Sequence, residues 1–222
     1  MKLVHKDLKK QIVFGNFQSY EWVIESPEFF AEYVQELYVQ SEGGDGNFIL
    51  SEEDKEIDIG KYVEVIINPF SVNINDKKVL NKLYAELTEL AYAEDMYLLT
   101  QDIKGKIQTY FLQLEHLSPY ILTIDSEIDI TAILKGIGVK IDNYADNFFE
   151  NLEIYIQILS VLLQKKLIVL VNAGSYIGKE QVEQLMKLAI HTEIELLLIE
   201  NQERNFSKRI TKYIIDKDGC EI

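Results

Sequence analysis

The stretch Lys165–Glu200, KKLIVLVNAGSYIGKEQVEQLMKLAIHTEIELLLIE, decides the fold. Leu167–Val171 is a continuous apolar run too short for an ordinary helix, which predicts a strand buried on both faces. The small-residue loop Asn172-Ala173-Gly174-Ser175 follows, then a segment of helical period from Lys179 to about Ile190. A second apolar run, Ile194–Ile199, closes a strand–helix–strand unit, whose two strands should be parallel neighbours. The first strand ends at Asn172, where a nucleotide hydrolase would want a carboxylate for its magnesium.

Working outward, the N-terminal third reads as strands at Lys2–His5, Gln11–Phe14 and Tyr20–Ile24, rich in β-branched and aromatic residues. Ser26-Pro27-Glu28 predicts a helix start, with a capping serine, proline at the first helical position and an early acid. That helix carries Phe29, Phe30, Tyr33, Val34 and Leu37 on one face and breaks at Ser41–Gly46. Strand runs at Phe48–Ser51, Ile57–Asp58 and Tyr62–Ile67 follow. From Asp76 to Lys165 the period is helical. Leu80, Leu83, Tyr84, Leu87 and Leu90 mark one face; Ile103, Ile107, Tyr110, Phe111, Leu114 and Leu117 mark another, stopped before Pro119. Ser126-Glu127-Ile128-Asp129 resembles a capping box for a short helix ending near Gly136–Gly138, and Asp146 suits the cap of a last helix, apolar nearly all round. A strand is expected again at Tyr213–Ile215. The expectation is an α/β head made from both chain ends, residues 1–71 and 163–222, with a helical leg inserted at 72–162.

Composition removes several classes. The chain has 222 residues, enough for one full core, and 47% apolar residues with only 3 prolines argue against disorder. Ile154–Leu163 is interrupted by Gln157 and Ser160, too short a run to cross a bilayer, and MKLVHKDLKK lacks the apolar region of a signal peptide. A single cysteine, Cys220, fits a reducing cytoplasm, and three scattered histidines build no usual zinc site. With 22 basic against 37 acidic residues the net charge is −15, which by itself opposes nucleic-acid binding.

Chemical motifs are sparse. A phosphate-cradling loop needs glycines and a lysine, whereas the turn after Ile24 is Glu25-Ser26-Pro27-Glu28. Ser175 lacks the second glycine of a nucleophile elbow, and His191 lies beyond the crossover helix. No catalytic residue is assigned from these motifs, and nucleotide hydrolysis is not the leading expectation. The acids Asp125, Glu127, Asp129, Asp142 and Asp146 are oxygen donors of the kind Ca²⁺ takes, but Glu127 and Asp129 also fit the first turn of a helix and Asp146 an N-cap, the reading residue chemistry alone favours. Lys135 and Lys140 bracket the glycine-containing segment Gly136-Ile137-Gly138-Val139.

Several collinear segments resemble one family, the small CRISPR-associated adaptation proteins of type II-A systems, the Csn-two family. Ile133–Asp142 (ILKGIGVKID) is similar to the family's I-K-x-L-G-V-K-V-E, and Asp146–Glu150 (DNFFE) to its S-D-T-I-F-E. Lys165–Gly174 (KKLIVLVNAG) resembles K-K-L-L-I-F-V-N-S-G, and Asn68–Asn73 resembles L-G-F-D-V-N. Asp102-Ile103-Lys104 falls where members carry an acid, an apolar residue and a lysine. The likeness spans about residues 62–216. It implies a degenerate P-loop-NTPase-like head with a helical leg, and a homotetrameric ring. That ring would bind double-stranded DNA ends with Ca²⁺ during spacer acquisition, with no enzymatic activity of its own, alongside the integrase proteins and the RNA-guided nuclease. Under it Lys104, Lys135 and Lys140 become phosphate contacts, and Asp125, Glu127 and Asp142 metal ligands. The acidic run before the short helix is thinner here than in the family. Fourfold repetition of a few lysines would reconcile an acidic subunit with DNA. The alternatives on the same frame are an NTP-binding switch and a protein-interaction scaffold.

Overall fold

A computed structural model describes residues 1–15, 19–207 and 209–222. In chain order the first elements are β1 (Lys2–His5), β2 (Ile12–Val13), β3 (Ser19–Ile24), α1 (Pro27–Ser41), β4 (Phe48–Glu52) and β5 (Lys55–Ile57). Next come α2 (Ile59–Tyr62), β6 (Val63–Ile66), α3 (Lys77–Tyr92), α4 (Glu94–Leu117), α5 (Ile130–Gly136) and α6 (Phe148–Val161). The last are β7 (Leu167–Val171), α7 (Lys179–His191), β8 (Glu195–Glu200) and β9 (Thr211–Ile215). The fold is mixed α/β.

β7 and β8 form the expected parallel pair, with Leu167 opposite Glu195 and Val171 opposite Ile199. They lie inside a five-stranded sheet of order β6-β7-β8-β3-β9, parallel throughout. Every residue of β7 and β8 is buried, as uninterrupted apolar runs require. One sheet face carries Trp22, Ile24, Val63, Leu167, Val169, Leu197 and Ile199. It shares a core with Tyr33 and Leu37 of α1 and with Leu3, Phe48 and Leu50 of a four-stranded antiparallel sheet, β2-β1-β4-β5. Each such side chain contributes about 1.5–3 kcal/mol through burial. The other face is covered by α6 and α7, whose Leu152, Ile156, Leu159, Val182, Leu185 and Ala189 are buried. Tyr155 on α6 donates to Glu64 Oε1 of β6 at 3.2 Å.

Two compact units result, residues 1–74 with 143–222, and residues 75–142. α6 therefore belongs to the sheet-containing unit, and the helical unit closes at 142 where 162 was expected. Its apolar faces are spent on the sheet and on α7, with Ser160 Oγ donating to the Thr192 carbonyl at 2.8 Å. The second hairpin strand also begins earlier than expected, at Lys55. Glu53 and Asp54 both take left-handed backbone (φ 49° and 59°), so two acids make the tight turn that Asn-Gly would advertise. Helix α1 starts where proline placed it, although the Ser26 hydroxyl makes no capping bond.

Candidate nucleic-acid interface

The three candidate lysines all lie in the helical unit, and local chemistry explains where each one stands. Asp76 caps α3 by accepting from the Val79 amide at 2.8 Å. Asn75, just before that cap, donates to the Ile141 carbonyl and accepts from the Ile141 amide, both at 2.9 Å. This reciprocal pair ties the unit's first residue to its last turn. Tyr84 of α3 adds a bond from its hydroxyl to the Val139 carbonyl at 2.9 Å.

Helix α5 is capped by Asp129, whose carboxylate accepts from Thr131 at 2.8 Å. It ends in a Schellman turn: the Gly138 amide bonds to the Lys135 carbonyl and the Val139 amide to the Leu134 carbonyl, both at 3.1 Å. Gly138 occupies the left-handed position at φ 72°. The turn reverses the chain so that Lys135 precedes it and Lys140 follows it, both exposed. Lys135 Nζ lies 5.7 Å from the Tyr84 ring centroid, and neither lysine has a carboxylate partner among the described residues.

Gly138→Ala should cost about 1 kcal/mol, because the left-handed backbone strains an L side chain although a Cβ there would meet open space. Gly105→Ala, in the middle of α4 and equally uncrowded, should stabilise by about 0.8–1 kcal/mol. Denaturant midpoints of the two variants, moving in opposite directions, check both statements; a Gly138→Ala protein as stable as the parent would contradict the turn.

Lys104 is held differently. Its ammonium donates to the Tyr92 hydroxyl at 2.7 Å and stands 4.0 Å from Glu127 Oε1. The bond to Tyr92 is the main reason its pKa lies above the ordinary lysine value, with Glu127 adding to the effect. These groups line a concavity of about 380 Å³ with Tyr97, Gln101 and Ser126. One candidate phosphate contact and one candidate metal ligand thus come together. Asp125 and Asp142 are exposed and do not join them: among the described residues no three His, Cys, Asp or Glu side chains converge to hold a metal. Six to eight oxygen ligands are what Ca²⁺ takes, so these carboxylates do not fit the ion within one chain. Asp146, expected as a cap, leaves that role to Asn147, which accepts from Phe149 and Glu150.

Helix α4 carries the clearest departure from its periodicity. Only Thr100 of its 24 residues is buried. Leu98, Tyr110, Leu112 and Leu117 are 60–81% exposed, although Tyr110 and Leu117 belong to the apolar face the sequence marked for packing.

The carboxyl edge of the parallel sheet, where α/β proteins bind ligands, is occupied by the protein itself. Asn172 ends β7 in left-handed backbone (φ 52°), followed by a single 3₁₀ turn, Ala173–Ser175. A Cβ on Gly174 would come within 2.7 Å of Phe206 Cζ and 2.9 Å of Arg204 Cγ, so the residues after β8 fill the space beside the loop. Glu200, fully buried, accepts from the Gly174 amide at 2.8 Å and lies 3.4 Å from Arg204 Nε. Glu21, also fully buried, accepts from the Arg204 amide at 2.7 Å and lies 3.6 Å from Lys212 Nζ. Burial is the first cause that pushes both carboxyls above their ordinary range. Burial, with the Glu200 charge second, raises the neighbouring Tyr176 to about 12. Sequence reading missed this cluster; its one signal was a glutamate within β3 and another closing the apolar run of β8.

A family model described as CRISPR-associated protein (Cas_Csn2) matches residues 40–219. The chain is 30% identical over 151 residues to the CRISPR-associated protein Csn2 of Streptococcus agalactiae, covering 68% of this chain and 58% of that protein. It is 24% identical over 160 residues to the protein of that name from Enterococcus faecalis, covering 69% of each. The match thus spans less than two thirds of the streptococcal relative. The chain belongs to the Csn2 family of type II-A CRISPR-associated proteins.

Proposed function

We propose that this chain is a non-enzymatic, sequence-independent binder of double-stranded DNA ends that assists spacer acquisition in the cytoplasm as a homotetrameric ring. The observation that carries the reading is the placement of Lys135 and Lys140 around the Gly138 turn, exposed and without a carboxylate partner among the described residues, in a chain of net charge −15. Two such cations are too few for duplex affinity in a monomer; four copies around one channel multiply the contacts. The exposed apolar residues of α4 supply a surface whose burial would favour self-association. Contacts restricted to phosphate carry no base information, so binding is independent of sequence. The integrase proteins and the RNA-guided nuclease are the partners this role calls for. Ca²⁺ enters as a variable of the experiment, and no contact described above depends on it.

The head is read as a degenerate P-loop-NTPase-like frame, a strand–turn–helix followed by parallel strands. The turn Glu25–Glu28 and the filled edge beside Asn172 argue against a working NTP-binding switch. Sedimentation with a linear duplex and with a closed circle of the same sequence, each with Ca²⁺ or chelator, tests the proposal. A tetramer that binds the linear form and not the circle is expected. Equal binding to both contradicts end recognition, and a tetramer with no DNA affinity favours the interaction scaffold.

A further inference from the structure

The sheet-containing unit holds a second basic concavity, of about 780 Å³, between α7 and the segment that returns from β8 to β9. Lys179, the first residue of α7, Arg209 in the return segment and Lys212 of β9 supply three cations. Glu183, one turn further along α7, is the single acid lining it among the described residues. Lys212 is preoriented, its ammonium 2.5 Å from Glu203 Oε1 and 3.6 Å from Glu21 Oε2. Lys179 and Arg209 are exposed and have no carboxylate partner among the described residues. Ser207 Oγ accepts from the Arg209 amide at 3.3 Å, which fixes that backbone and leaves the hydroxyl hydrogen free to donate inward. Asn205 adds a side-chain amide.

In a chain where acids outnumber bases 37 to 22, two cations without a carboxylate partner among the described residues, beside a third in one hollow, give it a local positive potential that attracts an anion. Arg and Lys together suit phosphate, the first through its planar fork and the second as a mobile point charge. The volume accommodates more than one phosphate group. The apolar lining residues, Phe206 and Ile210, are only 6% and 7% exposed, so no aromatic face is available for a base to stack on.

We propose that this concavity binds the phosphate chain of a polyphosphate through Lys179, Arg209 and Lys212, without recognising a nucleobase. The inference stands independently of the DNA-end reading, because its residues belong to neither the α5 turn nor α4.

Isothermal titration at low salt with inorganic tripolyphosphate is the test. Saturable binding is expected, with Arg209→Ala about tenfold or more weaker and Lys179→Ala in the same direction. Glu183→Gln should bind more tightly, since it removes an acid that lines the hollow and repels the anion. ATP and GTP should match tripolyphosphate within about twofold, for want of any base contact. Addition of a short duplex then separates the sources: displacement of tripolyphosphate assigns the phosphates to DNA, and unchanged binding assigns them to a small polyphosphate. Absence of saturable heat with the parent protein, or affinities unchanged in Arg209→Ala and Glu183→Gln at unaltered melting temperature, overturns the proposal.

Discussion

Replacing Lys135 and Lys140 together with alanine is expected to weaken binding of a linear duplex by about tenfold or more near 100 mM salt, and to flatten its salt dependence. The slope of log K against log salt should fall by about 0.9 for each lysine–phosphate contact removed. Both side chains are exposed on either side of the Gly138 turn and lack carboxylate partners among the described residues, so truncation removes charge without breaking an ion pair. Melting temperature should therefore stay unchanged. Lys104→Ala should have a smaller effect, because its ammonium is already engaged by the Tyr92 hydroxyl at 2.7 Å and neighbours Glu127 at 4.0 Å. Lys55→Ala, on the antiparallel sheet of the other unit, serves as the control and should leave the slope alone. Titration by fluorescence anisotropy at four or five salt concentrations reads all of these. Parallel slopes for the parent and the double variant would remove these lysines from the interface.

The largest stability effect is expected at Arg204. Its amide and guanidinium serve two fully buried carboxylates, Glu21 and Glu200, and its Nη2 donates to Ser175 at 3.3 Å. Arg204→Met keeps the main-chain bond to Glu21 and the packing against Gly174, yet leaves Glu200 buried with only the Gly174 amide and a like charge nearby. Removing one partner of a buried pair costs about 3–5 kcal/mol. For a chain of this length that is a loss of roughly 10 °C or more in Tm. Adding Glu200→Gln to the variant should recover part of it.

The pH dependence follows from the same groups. Glu21 and Glu200 are held above the ordinary carboxylate value, so between the two values the folded chain binds more protons than the unfolded one. Stability therefore falls as pH rises through that window and is flat above it. Glu36 and Glu221 are shifted the other way, by amide bonds from Asn47 and from Lys9 and Lys10 that outweigh burial. Their contribution is present above the ordinary value and lost as pH falls below it. Greatest stability on the acid side of neutrality is the expected result, with a steeper decline toward alkaline pH in Arg204→Met. Denaturant unfolding from pH 4 to pH 8.5 measures it; stability rising steadily across that range would contradict the buried-acid account.

How much of this was legible in the sequence depended on whether the relevant partners were close along the chain. β7 and β8 were plain, because an apolar run of five or six residues beside a crossover helix has few other uses. The α5 turn was equally readable, since Gly138 stands where a left-handed residue must stand and the two lysines bracket it. The boundary of the helical unit was not, because all-round apolarity says that α6 is buried without saying against what. The face of α4 was legible as a helix face, yet periodicity cannot tell packing within a chain from packing between chains. The register of β5 was hidden by Glu53 and Asp54, acids adopting backbone that glycine and asparagine usually announce. The ion cluster was least visible: Arg204 and Glu21 are 183 residues apart, and only the parallel pairing of β3 with both β8 and β9 brings them together.

Electron cryomicroscopy of the assembled protein on a linear duplex bears most directly on the functional account. It should reveal four copies arranged so that Lys135 and Lys140 of each face one cavity holding the DNA. Copies of these lysines dispersed over the outer surface, with no cavity in common, would contradict it.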